Sequence, residues 1–124
     1  MKVTWEYLGD RHALDTYDPD FNDIPLSVNL LPDAMGLICI EPRYDRHDNC
    51  YVVDGYGKCK YRLTVPWRLT GYEVPPGAQM WFRNMGTHRE GQFGVTAWIE
   101  YAGDFYFELD YHEGKFLWGK KIRF

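Results

Sequence analysis

Apolar and polar residues alternate with a period of two through much of the second half of the chain. In CKYRLTV, Cys59, Tyr61, Leu63 and Val65 fall on one side of an extended backbone. Lys58, Lys60, Arg62 and Thr64 fall on the other. Residues 92–101 place Phe93, Val95, Ala97, Ile99 and Tyr101 on one face. Residues 104–112 turn Phe105, Phe107, Leu109 and Tyr111 inward and leave Tyr106, Glu108, Asp110 and His112 outward. Each stretch predicts a strand with one buried and one wet face. KVTWEYL predicts a short strand with Val3, Trp5 and Tyr7 together, and GLICIEP a buried strand stopped by Pro42. CYVV and CKYRLTV flank DGYGK, whose Asp-Gly pair is a hairpin signal. AQMWFR and KFLWGKKIRF supply two further strands, the last entered through a Glu113-Gly114 turn and bulged at Gly119.

The intervening segments are punctuated by turn formers. Gly9, Pro19, Pro25 and a run of aspartates predict a long loop over residues 9–27. VNLLPDAM reads at most as a short helical turn, and RYDRHDN and NMGTHREG read as polar loops. Nothing keeps a helical period. About eight or nine short strands separated by turns predict an all-β, mainly antiparallel fold. The expected architecture is one domain over residues 1–124, a β-sandwich or barrel-like body with a long acidic N-terminal loop.

Length and composition agree with that architecture. A chain of 124 residues that is 45% hydrophobic can bury a core without metals or disulfides. Aromatics reach 18%, which favours pleated, half-buried surfaces. The three cysteines, Cys39, Cys50 and Cys59, are odd in number and form no CxxC. The N-terminus has no apolar signal region, and no run approaches the roughly 18 apolar residues of a membrane span. Free thiols in a reducing, cytoplasmic setting are the expectation.

Charge changes the picture most. Residues 1–48 carry ten acidic and four basic side chains, and residues 49–124 carry eight and ten. The net charge of −4 disfavours non-specific binding to nucleic acids or anionic membranes and favours a basic partner. Four of the acidic residues, Asp15, Asp18, Asp20 and Asp23, fall within nine positions, with Tyr17 and Phe21 between them. Spaced carboxylates can imitate nucleic-acid phosphates and pair with Arg and Lys in a basic cleft. The two rings would anchor the contact. Asp15, Tyr17, Asp18, Asp20, Phe21 and Asp23 are therefore the expected partner-binding residues. A solvated loop that only aids solubility is the competing reading.

Chemistry finds little foothold. There is no P-loop, GxGxxG, GxSxG or HExxH, and Ser27 is the only serine. His47, Cys50 and Cys59, with His88 or Cys39, could make a zinc set, but His47 and Cys50 are the only close pair. The aspartates lack EF-hand spacing for calcium. The expectation is a non-catalytic protein without a metal or other cofactor.

Two segments, LTVPWRLT (Leu63–Thr70) and EGQFGVTAW (Glu90–Trp98), taken together resemble the competence protein J family of bacterial nuclease inhibitors and related immunity proteins. In that family a T-V-P-aromatic strand precedes a G-x-aromatic-x-L-T-x-W strand. The likeness covers about a third of the chain and lies in strand and turn residues. It implies a compact β-rich cytoplasmic protein that binds and neutralises a nuclease toxin or DNA-processing nuclease. It implies no particular binding residues, and the aspartate-rich loop has no counterpart in it. Two other readings stand beside it. One is a phage- or virus-associated structural or anti-defence domain. The other is a ligand-binding barrel whose pocket is lined by Trp81, Trp98 and Trp118, although core packing accounts for those rings more simply.

Overall fold

In the computed structural model, residues 27–56, 58–86 and 92–122 are described in full, and residues 3–7 and 10–14 by their backbone. β1 (Val3–Tyr7) and β2 (Asp10–Leu14) form an antiparallel hairpin with Trp5 opposite His12. β3 (Ser27–Leu30), β4 (Gly36–Ile40), β5 (Cys50–Asp54) and β6 (Cys59–Leu63) form one four-stranded sheet in chain order. A 3₁₀ turn, Trp67–Thr70, lies in the crossing to the second sheet. There β7 (Met80–Gly86), β8 (Gly94–Ile99), β9 (Gly103–Asp110) and β10 (Lys115–Lys121) again pair in chain order. All these pairings are antiparallel. The expected all-β fold is present as a sandwich.

One core joins the sheets. Ile38, Ile40, Cys50, Val52 and Leu63 from the first meet Phe82, Val95, Ala97, Ile99, Phe105, Phe107 and Leu109 from the second. Leu37, Cys39, Tyr51 and Val53 form a separate buried cluster on the opposite face of the first sheet, with Val28 against it. Every residue of β4 is buried, which is why GLICI is continuously apolar instead of alternating.

Asn49 fastens one sheet to the other. Its Nδ2 donates to the Phe82 and Glu41 carbonyls, both at 2.8 Å, and its Oδ1 accepts the Phe82 N–H at 2.8 Å. The side chain thus replaces a neighbouring strand for Phe82, on the edge strand β7. A polar loop was expected at residues 43–49, yet Asn49 is fully buried because its amide satisfies these backbone groups.

Several sequence expectations are corrected. Residues 10–14, placed in the long loop, form β2; backbone pairing to β1 prevails over the polar pattern of Asp10, Arg11 and His12. Residues 27–30 form a strand where VNLLPDAM suggested a helical turn. A reversal at Pro32–Asp33 sends the chain back into β4, with Ala34 N–H bonded to the Leu31 carbonyl and Met35 N–H to Asp33 Oδ1. Cys59, expected inward, is exposed. The register slips between Val52 and Val53, so Cys59 lies opposite Val53, whose side chain belongs to the opposite face. In β10 the register shift falls between Phe116 and Trp118, so Leu117 is the bulged residue, not Gly119. Gly119 answers a different need, since a Cβ there would meet the Phe107 ring at 2.6 Å.

Candidate binding face on the second sheet

The outer face of the second sheet is built by cross-strand register. Trp81 lies opposite Trp98, and Trp98 opposite Asp104, which sets two indoles and a carboxylate in one row across β7, β8 and β9. The indole centroids are 4.6 Å apart with planes at 35°. Tyr44, from the loop after β4, extends the row, its ring 5.3 Å from Trp81 and tilted by 45°. Successive tilts make the rings the walls of an open trough of about 350 Å³, completed by Arg83. Both indoles are half-buried, whereas Tyr44 is 59% exposed.

A bulge aims Arg83 at this trough. The β7–β8 register shifts between Phe82 and Asn84, which leaves Arg83 as the extra residue. Its guanidinium Nη1 donates to Asp104 Oδ1 at 2.8 Å, in a pair whose side chains are 46% and 22% exposed. This pair contributes little stability, because water screens it. Its effect is to place one cation and one anion at the trough rim.

Tyr106 and Trp118 continue the aromatic surface, with centroids 5.5 Å apart. Tyr106 faces outward as its position in the alternation implies, but it is buried. It lies over Gly94, where a Cβ would meet the ring and hydroxyl at 2.7 Å. Its hydroxyl donates to Glu108 Oε2 at 2.5 Å, and Glu108 Oε1 accepts the Phe93 N–H. Burial, and then that carboxylate, push the Tyr106 hydroxyl above its ordinary value. The face expected to be merely wet is a packed aromatic surface. Trp81, Trp98 and Trp118 line its outside and belong to neither buried cluster.

Glu41 is buried, and its Oε1 accepts from Arg62 Nη1 at 2.9 Å. The Arg62 guanidinium in turn covers the Tyr51 ring at 4.6 Å. Burial pushes the Cys39 thiol up to about 12 and the Cys50 thiol well above its ordinary value, the reverse of what a nucleophile needs. Cys50 faces the core while Cys59 is exposed on the other side of the sheet, so these two members of the zinc set weighed from sequence do not converge. Among the described residues no three His, Cys, Asp or Glu side chains gather closely enough to hold a metal ion. A larger groove of about 470 Å³ is walled by Trp67, Glu73, Val74, Pro75 and Pro76 and offers one carboxylate.

The sequence-chosen binding residues Asp15, Tyr17, Asp18, Asp20, Phe21 and Asp23 lie outside the described residues, as does His88. Sequence reasoning missed Tyr44, Arg83 and Asp104. The signal for Trp81 and Trp98 was present, because both occupy the polar phase of their strands, opposite Phe82, Ala97 and Ile99. Comparison of the chain with protein-family models, curated proteins and solved structures gives no match.

Proposed function

We propose that this protein is a non-catalytic inhibitor or immunity protein that binds and occludes a basic partner enzyme, a nuclease toxin or DNA-processing nuclease. The observation that carries the proposal is the open row of Tyr44, Trp81 and Trp98 on a rigid sheet, rimmed by Arg83 and Asp104. Trp, Tyr and Arg are the side chains that most often dominate binding energy at protein interfaces. A rigid sheet presents them at low ordering cost. The acidic bias of the first 48 residues supplies long-range attraction for a basic partner and selects against acidic ones. Asp15, Asp18, Asp20 and Asp23 enter the partner's cleft in this reading, with Tyr17 and Phe21 as anchors. Inhibition is steric and electrostatic. The three free cysteines fit action in the reducing cytoplasm.

The test is capture of partners from host lysate at low and moderate salt, followed by mass spectrometry. One basic enzyme should elute, and its recovery should fall as salt rises. The variant with all four aspartates changed to asparagine should bind more weakly and with less salt dependence. Recovery of the protein alone, or of virion components, contradicts the proposal.

A further inference from the structure

We infer that the Tyr44–Trp81–Trp98 trough seats an arginine guanidinium of the partner protein, stacked on the indoles and hydrogen-bonded to Asp104. The inference rests on the basic-partner reading above and deepens it by naming the side chain received and the place that receives it.

Three observations point to a guanidinium. Firstly, the trough wall is aromatic, and an indole face attracts a cation through its ring quadrupole. Guanidinium is planar and weakly hydrated, so it stacks on such a wall at less cost than an ammonium does. Secondly, an acceptor stands in register with the rings. Asp104 lies directly across from Trp98, and Arg83 takes only its Oδ1, leaving Oδ2 without a hydrogen bond among the described residues. Thirdly, the protein's own Arg83 already shows the compatible geometry. It is an arginine brought by a bulge to the rim of the trough and held to Asp104 by a single 2.8 Å bond. A second guanidinium lying flat on Trp98 would take the remaining oxygen or displace that bond.

Cross-strand pairing explains part of this arrangement without a ligand, since facing indoles stabilise a hairpin. It does not explain Tyr44, which is 59% exposed in a loop outside the sheet and closes the end of the row. The charge of the whole chain has the sign an arginine requires.

The sign of each substitution separates this site from others. Hexaarginine and hexalysine peptides are titrated into the full-length protein, following tryptophan emission and heat release. Hexaarginine should bind more tightly than hexalysine and perturb the emission. Trp98→Leu and Tyr44→Ala should each weaken hexaarginine binding by about threefold to thirtyfold, the range of a cation–aromatic contact from exposed to desolvated. Asp104→Asn should weaken it too. Arg83→Ala should tighten it, because it removes the competing cation. A site for an anion or a sugar would respond to Arg83→Ala in the opposite direction, and that result overturns the inference. Trp98→Leu removes a cross-strand partner and can cost stability, so Tyr44→Ala and Asp104→Asn, at a loop and a partly exposed rim, keep the test decisive. Suppose the two peptides bind equally, ignore the trough substitutions and are lost with the four-aspartate variant. That overturns the trough and leaves the acidic-loop reading standing. Failure of both peptides to bind overturns both.

Discussion

Asn49 shows how one side chain can hold a fold together. It supplies a donor and an acceptor to Phe82 and a second donor bond to Glu41, all in a site closed to water. Asn49→Ala leaves the Phe82 N–H and carbonyl buried without partners, while the Glu41 carbonyl keeps the Arg43 N–H. Each such group costs about 1–3 kcal/mol, so a loss of about 3 kcal/mol or more is expected in urea unfolding. Asn49→Asp should be nearly as damaging, because a carboxylate cannot donate to the two carbonyls. The cysteines differ just as sharply. Cys39 and Cys50 are buried with thiols held protonated, and Cys59 is exposed. A thiol-alkylating reagent at neutral pH should therefore modify Cys59 alone in the folded protein and all three after denaturation. Cys59→Ser should abolish native-state labelling.

Strands were legible in the sequence where alternation was strong and hidden where it was not. Val95, Ala97 and Ile99 of β8 and Phe105, Phe107 and Leu109 of β9 follow directly from period-two spacing, because one face of that sheet meets the core, whereas Tyr101, expected with them, lies past the end of β8 and is exposed. β3 was hidden because VNLLPDAM reads as a short helical turn, whereas Pro32 and Asp33 make the turn of a hairpin. Bulges hid the rest. A single unpaired residue at Arg83, at Leu117 and at the β5–β6 slip reverses the side of the sheet that neighbouring residues occupy. Periodicity cannot locate an unpaired residue, which is why Cys59 was assigned to the wrong face and the trough went unseen. Glycine in β8 is explained only by its partner strand. At Gly94 a Cβ would meet the Phe107 carbonyl oxygen at 2.1 Å and the Tyr106 ring at 2.7 Å, and backbone cannot yield as a flexible side chain can. Gly94→Ala should accordingly destabilise the protein by about 1–3 kcal/mol through overpacking. It should also disturb the packing of Tyr106 against Trp118, visible as a change in near-ultraviolet circular dichroism.

For the whole molecule, the core sets the pH response, and the charge distribution is proposed to set the choice of partner. Burial raises the Cys39 thiol from 9.0 to about 12, and raises Cys50 and Tyr51 as well. A group whose folded value is raised contributes stability that is complete below its unfolded value and is lost as pH climbs towards the folded one. From neutral pH up to about pH 9 these groups should leave stability unchanged, and it should fall steadily above that, as measured by denaturant midpoints across an alkaline series. Cys39→Ala should reduce that fall. Where the candidate site is concerned, the sequence displayed the charge asymmetry and the aromatic wealth. It did not display which outward rings stand side by side, since that depends on the register between strands. The acidic segment and the aromatic row are proposed to divide the work, the first drawing a basic enzyme in and the second holding it.

Occlusion of a nuclease makes a stoichiometric demand. The most direct measurement titrates the protein into the enzyme captured from host lysate and follows its degradation of DNA. Activity should vanish as the protein reaches one equivalent, and the four-aspartate variant should need a large excess. A captured enzyme that degrades DNA at full rate while saturated with the protein would contradict inhibition by occlusion, however tight the complex.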